Sequence, residues 1–329
     1  MLRLPEFEYR RPARLEEALA LLAEGDAVPI AGGTDLIPNL KHRLLAPRRL
    51  VALRPLPELR GIEVRDGALV IGAAETLAAV ARHPLVRRYA PSLARAAGTV
   101  AGPQHRNMGT IGGNLCLDTR CTYYNQTYFW RKALGFCLKR DGSVCHVTKV
   151  GKKCVAAHSA DTPPVLMTLG AVADLASTAG ERSVPVADFF VADGVWNTVR
   201  RPDELVVRIR VPLPPPALRA SFQKLRQRNA IDFPLLTVAA AAELEGDEVR
   251  AIRLVVSALG ARPRAVAGLE RIAVGRPLTD EVIEAVAHRA FEQCHPLANM
   301  TIDPEWRRAM VPVYVRRALA EIRAGGAAA

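Results

Sequence analysis

The stretch Ala27-Val28-Pro29-Ile30-Ala31-Gly32-Gly33-Thr34-Asp35-Leu36, taken with Gly109-Thr110-Ile111-Gly112-Gly113-Asn114-Leu115, decides how the rest of the chain is read. The first runs from a short strand into a Gly-Gly turn flanked by a hydroxyl, and the second sets a hydroxyl and an amide around its glycines. Glycine lets a backbone turn tightly and present N–H groups to a phosphate with no Cβ in the way. Either loop alone is weak evidence, because Gly-Gly turns are commonly structural. Neither matches GxGxxG with an acidic residue about 20 positions on, nor GxxxxGK[ST], so a Rossmann site and a P-loop are both disfavoured. What remains is a different cofactor cradle, in which two such loops could hold a pyrophosphate between two subdomains.

Outward from the first loop, Leu15, Ala18, Leu19 and Leu22 have the spacing of an amphipathic helix that stops near Gly25. A strand at 50–53 closes a first unit, residues 1–56. Residues 57–215 then carry a strand at 68–73, helices at 77–83 and 92–97, a helix and strand within 165–175, and a strand at 206–211. Pro212-Leu213-Pro214-Pro215-Pro216 can continue neither ladder nor helix, which sets the second boundary. In residues 216–329, strands at 235–244 and 250–258 precede helices at 280–293 and 305–323, an α+β order.

The 329 residues exceed an ordinary single domain, and 50% hydrophobic content excludes disorder for most of the chain. A net charge of +12 invites a nucleic-acid partner, but Arg is spread throughout and no zinc-finger, RRM or basic-zipper pattern is present. No apolar run of about 18 residues occurs and the start lacks a signal-peptide pattern, so no membrane contact and a cytoplasmic location are expected. Six cysteines are too few for a disulfide scaffold of this length, yet five fall between 116 and 154. Such clustering points to a metal or cluster site.

The two glycine loops resemble, in order, separation and context, the signature of the FAD-binding subunit of the molybdenum hydroxylases, the xanthine dehydrogenase and carbon monoxide dehydrogenase family. His158-Ser159-Ala160-Asp161-Thr162-Pro163-Pro164 resembles the family's next motif, and Phe222-Gln223-Lys224 with Arg228 and Asp232 the opening of its C-terminal domain. The resemblance covers essentially the whole chain. It implies a vanillyl-alcohol-oxidase-like FAD domain in two subdomains plus a smaller C-terminal α+β domain. It also implies that FAD is held by Pro29, Ile30, Ala31, Gly32, Gly33, Thr34, Asp35 and Leu36 on one side and Ala101, Thr110, Gly112, Gly113 and Asn114 on the other. Asp161 would bind ribitol or ribose hydroxyls, and Lys224 would lie beside the isoalloxazine, where a cation favours the anionic reduced flavin.

Ordinary members place the Asp-bearing motif within a few residues of the GGN loop, whereas Asn114 and Asp161 stand 47 positions apart here. The excess, at about 115–157, is an insertion holding Cys121, Cys137, Cys145 and Cys154, with 15, 7 and 8 residues between successive thiols. Four thiolates bind tetrahedral zinc or a 4Fe-4S cluster, and this spacing does not separate the two. Within the family, 4-hydroxybenzoyl-CoA reductase is the member whose flavin subunit is expected to carry a 4Fe-4S cluster here, and the chain is similar to that subunit. Cys116 and Cys294 are expected to be packed thiols. Between Asp118 and Cys154, eight basic residues face two acidic ones, so a basic surface is expected to steer an acidic redox partner.

The resemblance implies an electron-transfer subunit with no catalytic residues of its own. Its partners would be a molybdopterin large subunit and a small subunit with two 2Fe-2S clusters, in a dimer of heterotrimers fed by ferredoxin. Substrate dehydroxylation to benzoyl-CoA would occur on another chain. The competing readings are the flavin subunit of an oxidative molybdenum hydroxylase and a stand-alone flavin reductase with a zinc-stapled insertion.

Overall fold

The computed structural model describes residues 2–326 and arranges its strands in three sheets. The first contains β1 (Glu8–Arg10), β2 (Ala27–Ile30) and β3 (Arg49–Ala52), parallel in the order β1-β3-β2. Helix Leu15–Ala23 connects β1 to β2 and buries the expected Leu15, Ala18, Leu19 and Leu22. It ends at Gly25, whose φ of +79° reverses the chain where a side chain would be strained.

The second sheet contains β4 (Ile62–Arg65), β5 (Ala68–Gly72), β6 (Val172–Ser177), β7 (Gly180–Pro185) and β8 (Leu205–Pro212). Its order is β4-β5-β8-β6-β7 and every pair is antiparallel. The third runs β12-β11-β10-β9, built from β9 (Leu218–Leu225), β10 (Leu236–Glu245), β11 (Glu248–Ser257) and β12 (Arg264–Ala265). Helices Asp280–Gln293 and Pro304–Arg323 follow it in sequence and pack on one face.

Strand β10 shows how the third sheet is buried on both sides. Leu236, Val238, Ala240, Ala242 and Leu244 join the core under the two C-terminal helices, while Ala239 and Ala241 join the core of the second sheet. Side chains of alternate residues point to opposite faces, so a run of alanines lets layers approach closely from both directions. Helices Pro91–Thr99 and Thr162–Thr168 press against the second face.

The insertion carries regular structure of its own. Thr127 caps a short helix, Tyr128–Ala133, by accepting the Trp130 N–H. From it the fully buried Arg131 donates to the carbonyls of His42 (3.3 Å) and Arg43 (2.9 Å), pinning the insertion to the first subdomain. Cys294 follows the last helical residue, Gln293, and is buried.

The segment leaving the insertion is anchored by His158. Its N–H donates to Gly260 O (2.8 Å), and its ring lies 2.9 Å from Ser257 Oγ with an edge against Phe190. Burial alone pushes its pKa down to about 3. Between that value and the unfolded value near 6.5 only the unfolded chain binds the proton, so stability falls as pH falls through this window. The wild-type chain should lose about 2 kcal/mol from pH 7 to pH 5 that a His158→Gln variant keeps. Urea midpoints at both pH values check this, and parallel losses in the two chains would contradict it.

Candidate functional site

The two glycine loops meet. A Cβ on Gly32 would lie 1.9 Å from Met108 O and 2.8 Å from Gly109 N, so the turn after β2 abuts the second loop backbone to backbone. Gly33 has φ +70°, and its carbonyl accepts from Ile37 N–H to start helix Leu36–Lys41, with Pro29 and Ile30 closing β2 and Ala31 leading into the turn. Thr34 Oγ1 lies 3.2 Å from where a Gly109 Cβ would stand. Thr110 accepts the Gly113 N–H (3.1 Å), capping helix Ile111–Leu115. Gly112 backs onto Ala73, with room for no Cβ.

Two of the singled-out polar residues are engaged within the protein. Asn114 Oδ1 accepts from both the N–H (3.1 Å) and the hydroxyl (2.7 Å) of Thr162, fastening the second loop to the Asp161 segment. Asp35 ion-pairs with Arg120 and accepts from Asn39 Nδ2 (3.0 Å). Ala101 takes the left-handed φ of +41°, and the Arg106 guanidinium donates to its carbonyl and to that of Val100.

Asp161 and Lys224 form one buried ion pair at 2.6 Å, with side chains 4% and 3% exposed. Lys224 Nζ also donates to Thr99 O (3.1 Å), as does Arg226 Nη1. Asp161 Oδ1 is buried without a partner. Burial raises the Asp161 pKa and the Lys224 ammonium opposes it. A carboxylate with one oxygen satisfied and one free is an acceptor held ready for a hydroxyl donor. Burial, with Arg226 and Arg82 nearby, lowers the Arg106 pKa. That group of cations beside the second loop suits an anionic ligand, and in so Arg-rich a chain no sequence signal distinguished Arg106 and Arg226.

Cys121, Cys137, Cys145 and Cys154 all line a single pocket with Tyr124, Lys139 and Ala156. All are free thiols and all are buried. The Tyr123 and Tyr124 N–H groups point at Cys121, whose pKa burial nevertheless raises. At Cys145 burial is outweighed by the Thr148 hydroxyl and the N–H groups of Thr148, Val147 and Val155, and the pKa falls. Burial pushes Cys154 up to about 11 although Ala156 N–H points at its sulfur (3.5 Å). The N–H donors thus oppose burial at all three sulfurs and outweigh it only at Cys145.

The pocket walls reach beyond the insertion. A Cβ on Gly194 would meet Cys154 Sγ at 2.8 Å, so only glycine fits there. Lys139 Nζ donates at 2.6 Å to Asp118, Thr119 Oγ1 and Gly194 O, which closes the loop over the thiols. The expected basic surface is therefore smaller than its count of charges: Arg131 and Lys139 are buried, and Arg120 is largely so. Lys132, Arg140, Lys149, Lys152 and Lys153 remain exposed.

Among the described residues, no three His, Cys, Asp or Glu side chains gather tightly enough for one metal ion. The shared pocket and that finding are compatible. Tetrahedral zinc with Zn–S near 2.3 Å needs thiols within roughly 4 Å of one another, whereas a cubane holds its ligands apart by its own width. Four buried thiols lining one pocket are a donor set that suits either centre. Cys116, beside Arg200, and Cys294 lie outside the pocket, and burial raises the pKa of both.

The comparisons with known proteins agree with this architecture. The FAD binding domain in molybdopterin dehydrogenase matches residues 5–214, and the CO dehydrogenase flavoprotein C-terminal domain matches 220–322. These matches define an FAD-binding oxidoreductase subunit. The chain is 29% identical to the glyceraldehyde dehydrogenase medium chain of Sulfolobus acidocaldarius over 97% of this chain and 99% of that one. It is 32% identical to the aldehyde oxidoreductase FAD-binding subunit of Escherichia coli over 90% and 92%. Carbon monoxide dehydrogenase from Hydrogenophaga pseudoflava superimposes with TM-score 0.81 at 28% identity, covering 98% of this chain and 99% of that one. The chain belongs to the family of FAD-binding medium subunits of the molybdenum hydroxylases. Among the described residues no helix is long and apolar enough to cross a membrane.

Gly32→Ala places a methyl group against Met108 O and must part the loops, so FAD retention should fall more than tenfold, a loss above about 1.4 kcal/mol. The flavin-to-protein absorbance ratio after gel filtration measures it.

Proposed function

We propose that this chain is the electron-transfer subunit of a molybdenum-dependent 4-hydroxybenzoyl-CoA reductase. It would hold FAD between its glycine loops and a 4Fe-4S cluster on Cys121, Cys137, Cys145 and Cys154. The observation that carries the reading is the meeting of those four thiols in one pocket, seven positions before Asp161. When bound, FAD exchanges electron pairs for single electrons and the cluster supplies a one-electron port.

The chain's own groups do the holding. The N–H groups of Gly32, Gly33 and Thr34 would face the pyrophosphate and Arg106 and Arg226 would balance its charge, while the N–H groups from Ile111 to Asn114 are taken by Glu75 O, Ala73 O, Thr110 Oγ1 and Thr110 O and hold the second loop in shape. Asp161 Oδ1 would accept from a ribitol or ribose hydroxyl, and Lys224, bonded to the other oxygen, opposes the burial that raises the carboxyl's pKa. The N–H donors around Cys121, Cys145 and Cys154 would offset part of the cost of burying ligand thiolates, and at Cys145 they outweigh it.

In this reading the partners are a molybdopterin large subunit and a small subunit with two 2Fe-2S clusters, in a dimer of heterotrimers. The exposed bases of the insertion, with Phe129 82% and Val150 91% exposed among them, suit ferredoxin as an acidic donor. The relatives' dehydrogenase names favour a second reading, an oxidative molybdenum hydroxylase that passes electrons outward.

Anaerobic analysis of the purified chain should find about four iron and four sulfide per FAD, with an EPR signal after dithionite reduction. Cys137→Ser should lose that signal and keep its flavin. Zinc, or flavin with no metal, would leave the second reading in place.

A further inference from the structure

The four thiols come from the insertion, but the segments carrying them are also fastened from the C-terminal domain. The loop between helices Asp280–Gln293 and Pro304–Arg323 brings the fully buried Asn299 against the insertion. Its backbone carbonyl accepts the Thr122 N–H (2.9 Å), next to Cys121. Its side-chain Nδ2 donates to Val155 O (2.7 Å), next to Cys154. Val155 is also the residue whose N–H points at Cys145. One asparagine thus joins chain segments that flank Cys121 and Cys154 and reach Cys145.

The amide's orientation is determined by its neighbours. Arg307 Nη1 donates to Asn299 Oδ1 (3.4 Å), and a guanidinium can only donate while the Val155 carbonyl can only accept. Arg307 is itself fully buried and donates further to Leu235 O (3.0 Å), Leu297 O (3.4 Å) and Ala258 O. Burial lowers its pKa to about 10, which leaves it charged at neutral pH. The guanidinium is therefore fixed by the C-terminal domain's backbone, and Asn299 extends that frame to the pocket.

We propose that Asn299, oriented by Arg307, is a positioning residue for the metal centre, setting the separation of the Cys121 and Cys154 thiols so that the C-terminal domain completes the site. This rests on the reading that the four thiols hold a 4Fe-4S cluster. Groups that orient ligands without touching the metal commonly change its affinity 10–100-fold on mutation.

Asn299→Asp separates the two contacts. The carboxylate still accepts from Arg307, and the backbone carbonyl still takes Thr122, but nothing donates to Val155 O. In the full chain, iron and FAD content, the reduced EPR spectrum, the cluster's midpoint potential and iron loss to a chelator are read beside wild type. The expected result is wild-type FAD content and melting temperature, a displaced EPR spectrum and potential, and iron loss faster by about 10-fold or more. Asn299→Ala should show the same changes more strongly.

A spectrum, potential and chelation rate equal to wild type in Asn299→Asp would overturn the proposal while leaving the cluster in place. FAD and iron falling together with the melting temperature would reduce Asn299 to a general structural role and equally overturn it. Wild-type chain without iron would defeat the cluster reading itself, an outcome distinct from both.

Discussion

The architecture depends on a close approach of two backbones, Gly32 against the Met108 carbonyl and Gly109. The turn after β2 and the turn before helix Ile111–Leu115 are brought together with no side chain between them; the second loop's N–H groups from Ile111 to Asn114 are taken within the protein, which leaves those of Gly32 to Thr34 to face a ligand. Gly112 against Ala73 seats the second loop on the end of β5 by the same device. A substitution at Gly32 would move one subdomain relative to the other, and one at Gly112 would lift the second loop off β5 within its own subdomain. The cradle is thus a property of the packing between units, and neither loop makes it alone.

What the sequence exposes and conceals follows from burial. β2, β3, β5, β6, β8, β10 and β11 are legible from apolar or β-branched runs. The strands that escape, β1, β4, β7, β9 and β12, are all sheet edges, such as Gly180-Glu181-Arg182-Ser183-Val184-Pro185 and the wholly exposed Glu8-Tyr9-Arg10. Edge strands carry polar and charged residues that discourage further pairing, so their composition resembles that of loops. The glycine pairs and clustered cysteines stand out because their residue types are rare for a reason. Gly194 and Asn299 carry no such mark, because the contacts that give them meaning cross 40 residues in one case and 144 in the other.

Arginine conceals most. A count of charges places the bases of the insertion at the surface, yet Arg131 is buried in the first subdomain, and Arg307 serves the same purpose in the C-terminal domain. A planar guanidinium with five donors can gather several backbone carbonyls that have no strand or helix partner. Irregular segments leave such carbonyls behind, so buried arginine does for loops what ladders do for sheets. Both guanidiniums lie where irregular chain meets a regular domain.

Arg120 takes this one step further. It precedes Cys121, ion-pairs with Asp35 beside the first glycine loop, donates to Asn39 Oδ1 (3.2 Å) and stacks on Phe233 at 4.7 Å. Its backbone pairs with Ala157 in both directions, midway between Cys154 and Asp161. A buried ion pair gains little net stability over apolar packing, because desolvation offsets the attraction. What it supplies is a fixed direction. Seven residues span at most about 25 Å, so the Cys154 backbone lies within that distance of the Asp161–Lys224 pair. With Arg120 braced on one side and His158 on the other, the segment joining the thiol pocket to the acid–lysine pair has no freedom to swing, and each site is held relative to the other by the same few side chains.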